Sequence, residues 1–394
     1  MAESSNALLK VSGGELYAPQ PQGKQTLMVT GDRLARIGDD CNTGALPVDT
    51  LDASGCVVVP GFVDGLAHII GGGGEGGFAT RTPEMRTEDA IRGGVTTLMG
   101  ALGTDAVTQT LPALLAKARA LESDGLTCFC YTGSYQVPVR TVTGGVQDDI
   151  VLIDRFVGVG EVAISDHRSS HPSREELTRL AAEARVGGML AGKAGIVFIH
   201  TGDAPSHFDP LLDVANHSAI PLTQFWPTHA NRSAEVFSAA IDYARQGGLI
   251  DFTASTTPEL IADGDVPCVE ALPRALKAKV PLERITFTSD GHASLPRFDG
   301  EGRFVGLQVG QMTSLLDAVR DCVLEAGLAL EEALTPVTAN PARILKMPRK
   351  GRLEPGSDAD LLVLEKDSLK LRHVVARGRV KMRDGEILHR GYFA

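Results

Sequence analysis

Pro60-Gly61-Phe62-Val63-Asp64-Gly65-Leu66-Ala67-His68, running on into Gly71-Gly72-Gly73-Gly74-Glu75, reads as an apolar β-strand that ends in a histidine and enters a glycine-rich loop. A strand closing on His-x-His presents two imidazoles to one metal ion. Here Leu66 stands where the first histidine would be. The segment therefore points to a metal-dependent hydrolase whose metal site is altered.

Outward from this strand, the middle of the chain alternates short apolar runs with longer stretches of helical spacing, the signature of a parallel α/β sheet. The expected strands are 62–69, 95–100, 126–131, 156–164, 196–200, 221–226, 249–254 and 285–289. Within 106–124, Val107, Leu111, Leu114, Leu115, Ala118 and Leu121 recur at threes and fours, so a helix is expected there. Eight such units match an α/β fold of the (β/α)₈ TIM barrel type better than an open doubly wound sheet. The glycine run at 71–77 opens no helix and lacks a following ribose-binding acid, which argues against a dinucleotide fingerprint.

Both chain ends read differently. Residues 7–59 and 351–390 carry short β-like runs separated by turn residues, and neither has enough apolar surface to fold alone. We expect one small β-sandwich domain built from residues 1–59 and 347–394, with a barrel over 60–346 inserted between them.

Composition narrows the function further. A net charge of −11 without any basic run argues against nucleic acid, whose binding rests on clustered Lys and Arg. No apolar run is long enough to span a bilayer, and Met1–Asn6 lacks the character of a signal peptide, so no membrane partner is expected. Six scattered cysteines without metal-ligand spacing read as reduced, buried thiols of a cytoplasmic protein.

In a barrel, catalytic groups come from the C-terminal ends of the strands. Reading those ends gives His68, Glu161, His200, His229 and Asp290, from strands one, four, five, six and eight. Two histidines with a carboxylate suit catalytic zinc, which keeps one coordination position open. A single such histidine is usually a core residue, but five metal-type side chains at five strand ends are hard to explain as packing. His167, His171, His207 and His217 read as structural or surface residues, and His292 as a solvated loop histidine or, less readily, a stand-in for the missing ligand. Trp226 reads as packing near the end of strand six.

These residues sit in segments that resemble the amidohydrolase superfamily, and within it the isoaspartyl (β-aspartyl) dipeptidases. The resemblance spans nearly the whole chain. Its most specific parts are Gly71–Glu75 with Thr80–Glu84, Leu102–Asp105, Thr132–Tyr135, Ile164–Ser169, Pro227–Arg232 and Ser289–Gly291. It implies that Glu75 holds a substrate α-ammonium group and that Thr104 and Ser294 contact the aspartyl part. It implies carboxylate-gripping roles for Arg168 and Arg232, suited to a guanidinium fork. It implies that Tyr135 steadies the developing oxyanion and that Asp290 is the general base. A homo-oligomer is a further implication.

Two positions depart from that pattern. The family has His-x-His on strand one, against Leu66-Ala67-His68 here, and a carboxylated lysine on strand four, where this chain has Glu161. Both changes weaken the same metal position, leaving Glu161, His200 and His229 as the fuller set. One tightly bound zinc is expected, with a second at His68 weak or absent. The implied reaction is zinc-dependent hydrolysis of β-aspartyl dipeptides, a small-molecule substrate class. The alternatives are hydrolysis of another N-acyl amino acid or aspartyl-type amide, and a non-catalytic homologue.

Overall fold

The computed structural model describes residues 8–39, 41, 43–298 and 303–388. Its centre is a ring of parallel strands. Phe62–Ala67, Val95–Gly100, Thr127–Thr132, Phe156–Ile164, Ile196–Thr201 and Phe225–Thr228 form one six-stranded sheet in sequence order. Ile250–Thr253 and Ile285–Thr288 form a parallel pair. The two arcs are joined by backbone hydrogen bonds, Ala230 N–H to Asp251 C=O (3.0 Å) on one side and His68 N–H to Gly291 C=O (2.8 Å) on the other. All eight expected barrel strands are present, and the fold is of the TIM-barrel type.

Helices fill the crossovers because those segments carry one apolar face each. Arg174–Ala191 begins at a Ser173 cap whose hydroxyl accepts from Glu176 N–H, and buries Leu177, Leu180, Ala181 and Ala184. Two expected elements need correction. The helix expected over 106–124 spans Leu111–Ser123, because Thr110 caps it and Pro112 fits only its first turn. The sixth strand begins at Phe225 rather than Pro221, because Leu222–Gln224 forms a 3₁₀ turn.

The barrel interior is packed rather than hollow. Val63, Leu66, Met99, Tyr131, Phe198 and Trp226 form one buried cluster, with Tyr131 and Phe198 stacked at 5.0 Å. Trp226 is fully buried there and donates from Nε1 to Thr286 Oγ1 (2.9 Å). Deeper polar groups are met internally: the Asp251 carboxylate accepts from the hydroxyls of Thr228, Thr286 and Thr288, each at 2.6 Å.

The chain ends interleave. Leu361–Glu365 pairs antiparallel with Cys56–Pro60, so residues from both ends share one seven-stranded sheet. A four-stranded sheet from residues 8–52 packs on it through Val11, Leu27, Val29, Leu361, Val363 and Val375. A hairpin of Ser294–Phe298 and Phe304–Val309, not expected from the sequence, follows the eighth barrel strand. No helix among the described residues is long and apolar enough to cross a membrane. None of the six cysteines is in a disulfide, and all are buried.

Candidate metal centre and substrate cleft

Glu161 sits inside the fourth barrel strand, fully buried, with its carboxylate at the mouth of the ring. Its Oε1 lies 3.0 Å from His200 Nδ1 and 3.3 Å from His229 Nε2. Glu161, His200 and His229 can each offer one donor atom within 4.8 Å of the others, the one such group among the described residues. Burial raises the Glu161 carboxyl, but hydrogen bonds to the two imidazoles outweigh it and hold the group well below the usual carboxylate range. Burial and then repulsion from His200 push His229 down, favouring the neutral ring that a metal requires.

A cation fits this group on the chemistry of its own donors. His200 Nε2 faces the Asp166 carboxylate at 2.9 Å, and His229 Nδ1 faces Thr253 Oγ1 at 2.6 Å. A neutral His200 has one ring proton for two carboxylates, Asp166 at Nε2 and Glu161 Oε1 at Nδ1; where Asp166 takes it, the Nδ1 lone pair faces Glu161 Oε1. Two acceptors then face each other, and a metal ion resolves that conflict. Glu161 Oε2 is buried without a hydrogen-bond partner.

The first strand contributes differently. Leu66 is fully buried in the apolar barrel core. His68 lies between Gly72 and Gly103, where a Cβ on either would come 3.1 Å from its ring. Its Nε2 is 3.2 Å from Asp290 Oδ1 and 3.8 Å from Glu161 Oε2. Burial lowers the imidazole, yet the contacts with Asp290 and Glu161 more than offset this and raise it to about 9. His292 turns away from the centre, with Nδ1 against Pro83 C=O (2.9 Å) and Nε2 against Asp89 (3.2 Å). It is buried there, neither solvated nor a replacement for the missing histidine.

Beside the metal-type donors lies a linked set of charged and polar side chains. Tyr135 brings its hydroxyl to 2.8 Å from His200 Nδ1. Arg168 spans the gap between the centre and the glycine loop: Nε and Nη2 bond the two oxygens of Asp166 (3.0 and 2.9 Å), and Nη1 reaches Glu75 Oε1 at 3.2 Å. Thr104 Oγ1 donates to the same Glu75 oxygen at 2.7 Å. Burial raises Glu75, but Thr104 and Arg168 prevail and lower it. Arg232 Nη1 donates to Thr201 C=O (2.7 Å) and lies 3.3 Å from His200 Nε2. Ser294 lies against the glycine loop, its Cβ 2.6 Å from where a Cβ on Gly73 would sit.

The structure thus links His68, Glu75, Thr104, Tyr135, Glu161, Arg168, His200, His229, Arg232 and Asp290 into one connected group, with Ser294 against the glycine loop and His292 turned away. Asp166 and Thr253, to which the sequence alone assigns no role, join them as polar partners of the two histidines.

Known proteins carry the same arrangement of chain. The β-aspartyl dipeptidase of Fervidobacterium islandicum AW-1, solved in complex with a β-Asp-Leu dipeptide, is 41% identical, with 98% of this chain and 100% of that one covered at a TM-score of 0.89. This chain belongs to the β-aspartyl dipeptidase family. Residues 257–383 match the amidohydrolase family model. A dihydroorotase of Clostridium acetobutylicum is 23% identical over 393 residues, 88% of this chain and 86% of that protein. The N-acetylglucosamine-6-phosphate deacetylase of Pasteurella multocida shares the fold at 15% identity, a TM-score of 0.63 and 95% and 100% coverage. Membership of this family makes the chain a hydrolytic enzyme of the amidohydrolase class.

Proposed function

We propose that this protein hydrolyses β-aspartyl (isoaspartyl) dipeptides with one bound zinc ion. The observation that carries the reading is the Glu75–Arg168 pair beside the Glu161–His200–His229 group. An aspartyl unit linked through its side chain keeps a free α-ammonium and a free α-carboxylate. A carboxylate and a guanidinium side by side suit that zwitterion, and its β-amide then extends toward the metal-type donors. The β-Asp-Leu dipeptide bound by the Fervidobacterium islandicum relative supports this substrate class.

Glu161, His200 through Nδ1 and His229 through Nε2 would hold the ion. Zinc in such a site supplies Lewis-acid activation of the scissile carbonyl and of water. The remaining work falls to the chain. Glu75, with Thr104, takes the α-ammonium, and Arg168 and Arg232 take the carboxylates, while Ser294 contacts the aspartyl part from the glycine-loop side. Tyr135 directs its hydroxyl to the carbonyl oxygen as negative charge gathers there. Asp290 accepts the proton of the attacking water and delivers it to the leaving amine as the C–N bond breaks. His68 holds Asp290 rather than serving as a full metal ligand, so a second ion at His68 is weak or absent.

In this reading residues 60–346 are the catalytic barrel and residues 1–59 with 347–394 form a small β-sandwich domain. The enzyme works in the cytoplasm, in keeping with six cysteines that form no disulfide, and as a homo-oligomer.

A panel assay tests the substrate class. β-Asp-Leu and related β-aspartyl dipeptides are expected to be cleaved, and their α-aspartyl isomers to be left intact. Turnover of N-acyl aspartates or asparagine derivatives in their place would favour another aspartyl-type amide, a reading motivated by the altered first and fourth strands. Binding without turnover across the panel would mark a non-catalytic homologue.

A further inference from the structure

We propose that Asp166 is a positioning residue that ties the metal ligand His200 to the substrate-gripping Arg168, so that metal binding and carboxylate recognition share one anchor. The inference rests on the reading of the site given above and adds a residue to it.

Three observations carry it. The Asp166 carboxylate is 3% exposed and meets His200 Nε2 at 2.9 Å through the same Oδ2 that accepts from Arg168 Nη2 at 2.9 Å. Its Oδ1 accepts from Arg168 Nε at 3.0 Å and from the Arg168 backbone N–H at 2.8 Å. One buried carboxylate thus fixes a ligand ring and a guanidinium fork together.

The seat of Asp166 is built to hold it still. Ser165 adopts φ 53° and its hydroxyl donates to His207 C=O at 2.8 Å. Gly202, two residues beyond His200, presses so close to this turn that a Cβ there would lie 2.1 Å from Ser165 O and 2.6 Å from Asp166 Cα. Only a residue without a side chain lets the ends of the fourth and fifth strands meet here.

A metal ion on Nδ1 leaves the ring proton of His200 at Nε2, where Asp166 faces it. A competing arrangement has the Arg168 or Arg232 guanidinium, 3.1 and 3.3 Å away, donate to a bare Nε2. Asp166 Oδ2 lies nearer to Nε2, at 2.9 Å, than either guanidinium, and both guanidinium groups also donate elsewhere, Arg168 to Asp166 and Arg232 to Thr201 C=O. The carboxylate oxygen is the acceptor that wants the Nε2 proton, which frees Nδ1 for the metal.

The test is Asp166→Asn in the full-length zinc enzyme. Zinc affinity, measured by competition with a chelator, is expected to fall about 10–100-fold, the usual cost of losing a carboxylate behind a metal-bound histidine. At saturating zinc, KM for β-Asp-Leu is expected to rise, because the Arg168 fork loses its brace, with a smaller change in kcat. In the wild-type zinc enzyme, the His200 Nε2–H is expected to give an imidazole N–H resonance protected from solvent exchange. That measurement stands even where the variant does not fold. Zinc affinity within twofold of wild type, an unchanged KM, or a freely exchanging Nε2–H would each overturn the role. Zinc affinity and the N–H signal do not depend on the substrate, so a failed β-aspartyl assay would count against the function, while these two readouts would still decide the role of Asp166.

Discussion

Asp290 Oδ1 and His68 Nε2 lie 3.2 Å apart at the mouth of the barrel. Leu66, two residues before His68, is fully buried in the apolar core. The first strand therefore gives its one imidazole to a carboxylate and no second imidazole to a metal. Glu161, His200 and His229 keep a complete donor set of their own.

Replacing Asp290 by Asn removes the proposed proton acceptor while sparing that donor set. Hydrolysis is expected to fall by about 10²–10⁴-fold, the range for loss of a positioned general base. Zinc content of the purified variant, read by elemental analysis, is expected to match wild type. Wild-type turnover in this variant would remove Asp290 from the reaction.

His68→Gln tests the partner of that base. With Asp290 no longer held by an imidazole raised to about 9, kcat is expected to drop by roughly tenfold or more through misplacement of the catalytic group. Bound zinc should stay near the wild-type level. Loss of most of the metal would instead make His68 a principal ligand.

Glu75→Gln keeps the shape of the side chain and removes its charge. A hydrogen bond to a charged group is worth about 1.5–3 kcal/mol, so KM for β-Asp-Leu is expected to rise about 10–150-fold with kcat less affected. The split comes from steady-state kinetics, and a change confined to kcat would argue against a binding role.

Stability should depend on pH through the barrel floor. Burial pushes Asp251 up to about 8 against its three threonine hydrogen bonds, and burial likewise raises Asp64 to about 7. In the unfolded chain both titrate near 3.8, so the folded chain binds more protons between the two values. Their contribution is fully present below about pH 4 and is lost as pH rises through 7–8. Urea midpoints of the chelator-treated chain should fall across that window, and Asp251→Asn should flatten its upper part by at most a few kcal/mol. Identical profiles for variant and wild type would contradict this.

Much of this was legible in the sequence, and what was not has a physical reason. Strand ends carrying His68, Glu161, His200, His229 and Asp290 follow from alternating apolar runs, because a parallel strand announces itself locally. Asp166 lies in the Ile164–Ser169 stretch, where nothing in the sequence alone gives it a role. Its importance depends on a left-handed Ser165 and the close approach of Gly202, which no spacing along the chain encodes. His292 shows the same limit in reverse: its partners, Pro83 and Asp89, lie some two hundred residues away, and only the fold brings them to it. The late start of the sixth strand has a local cause, because the turn at Leu222–Gln224 is as apolar at its head as a strand.

The most direct test of a single-cation hydrolase is a metal count on protein that cleaves β-Asp-Leu, purified without added zinc and dialysed. Close to one equivalent of zinc per chain, held by Glu161, His200 and His229, is the expected result. Two equivalents that resist dialysis would contradict it.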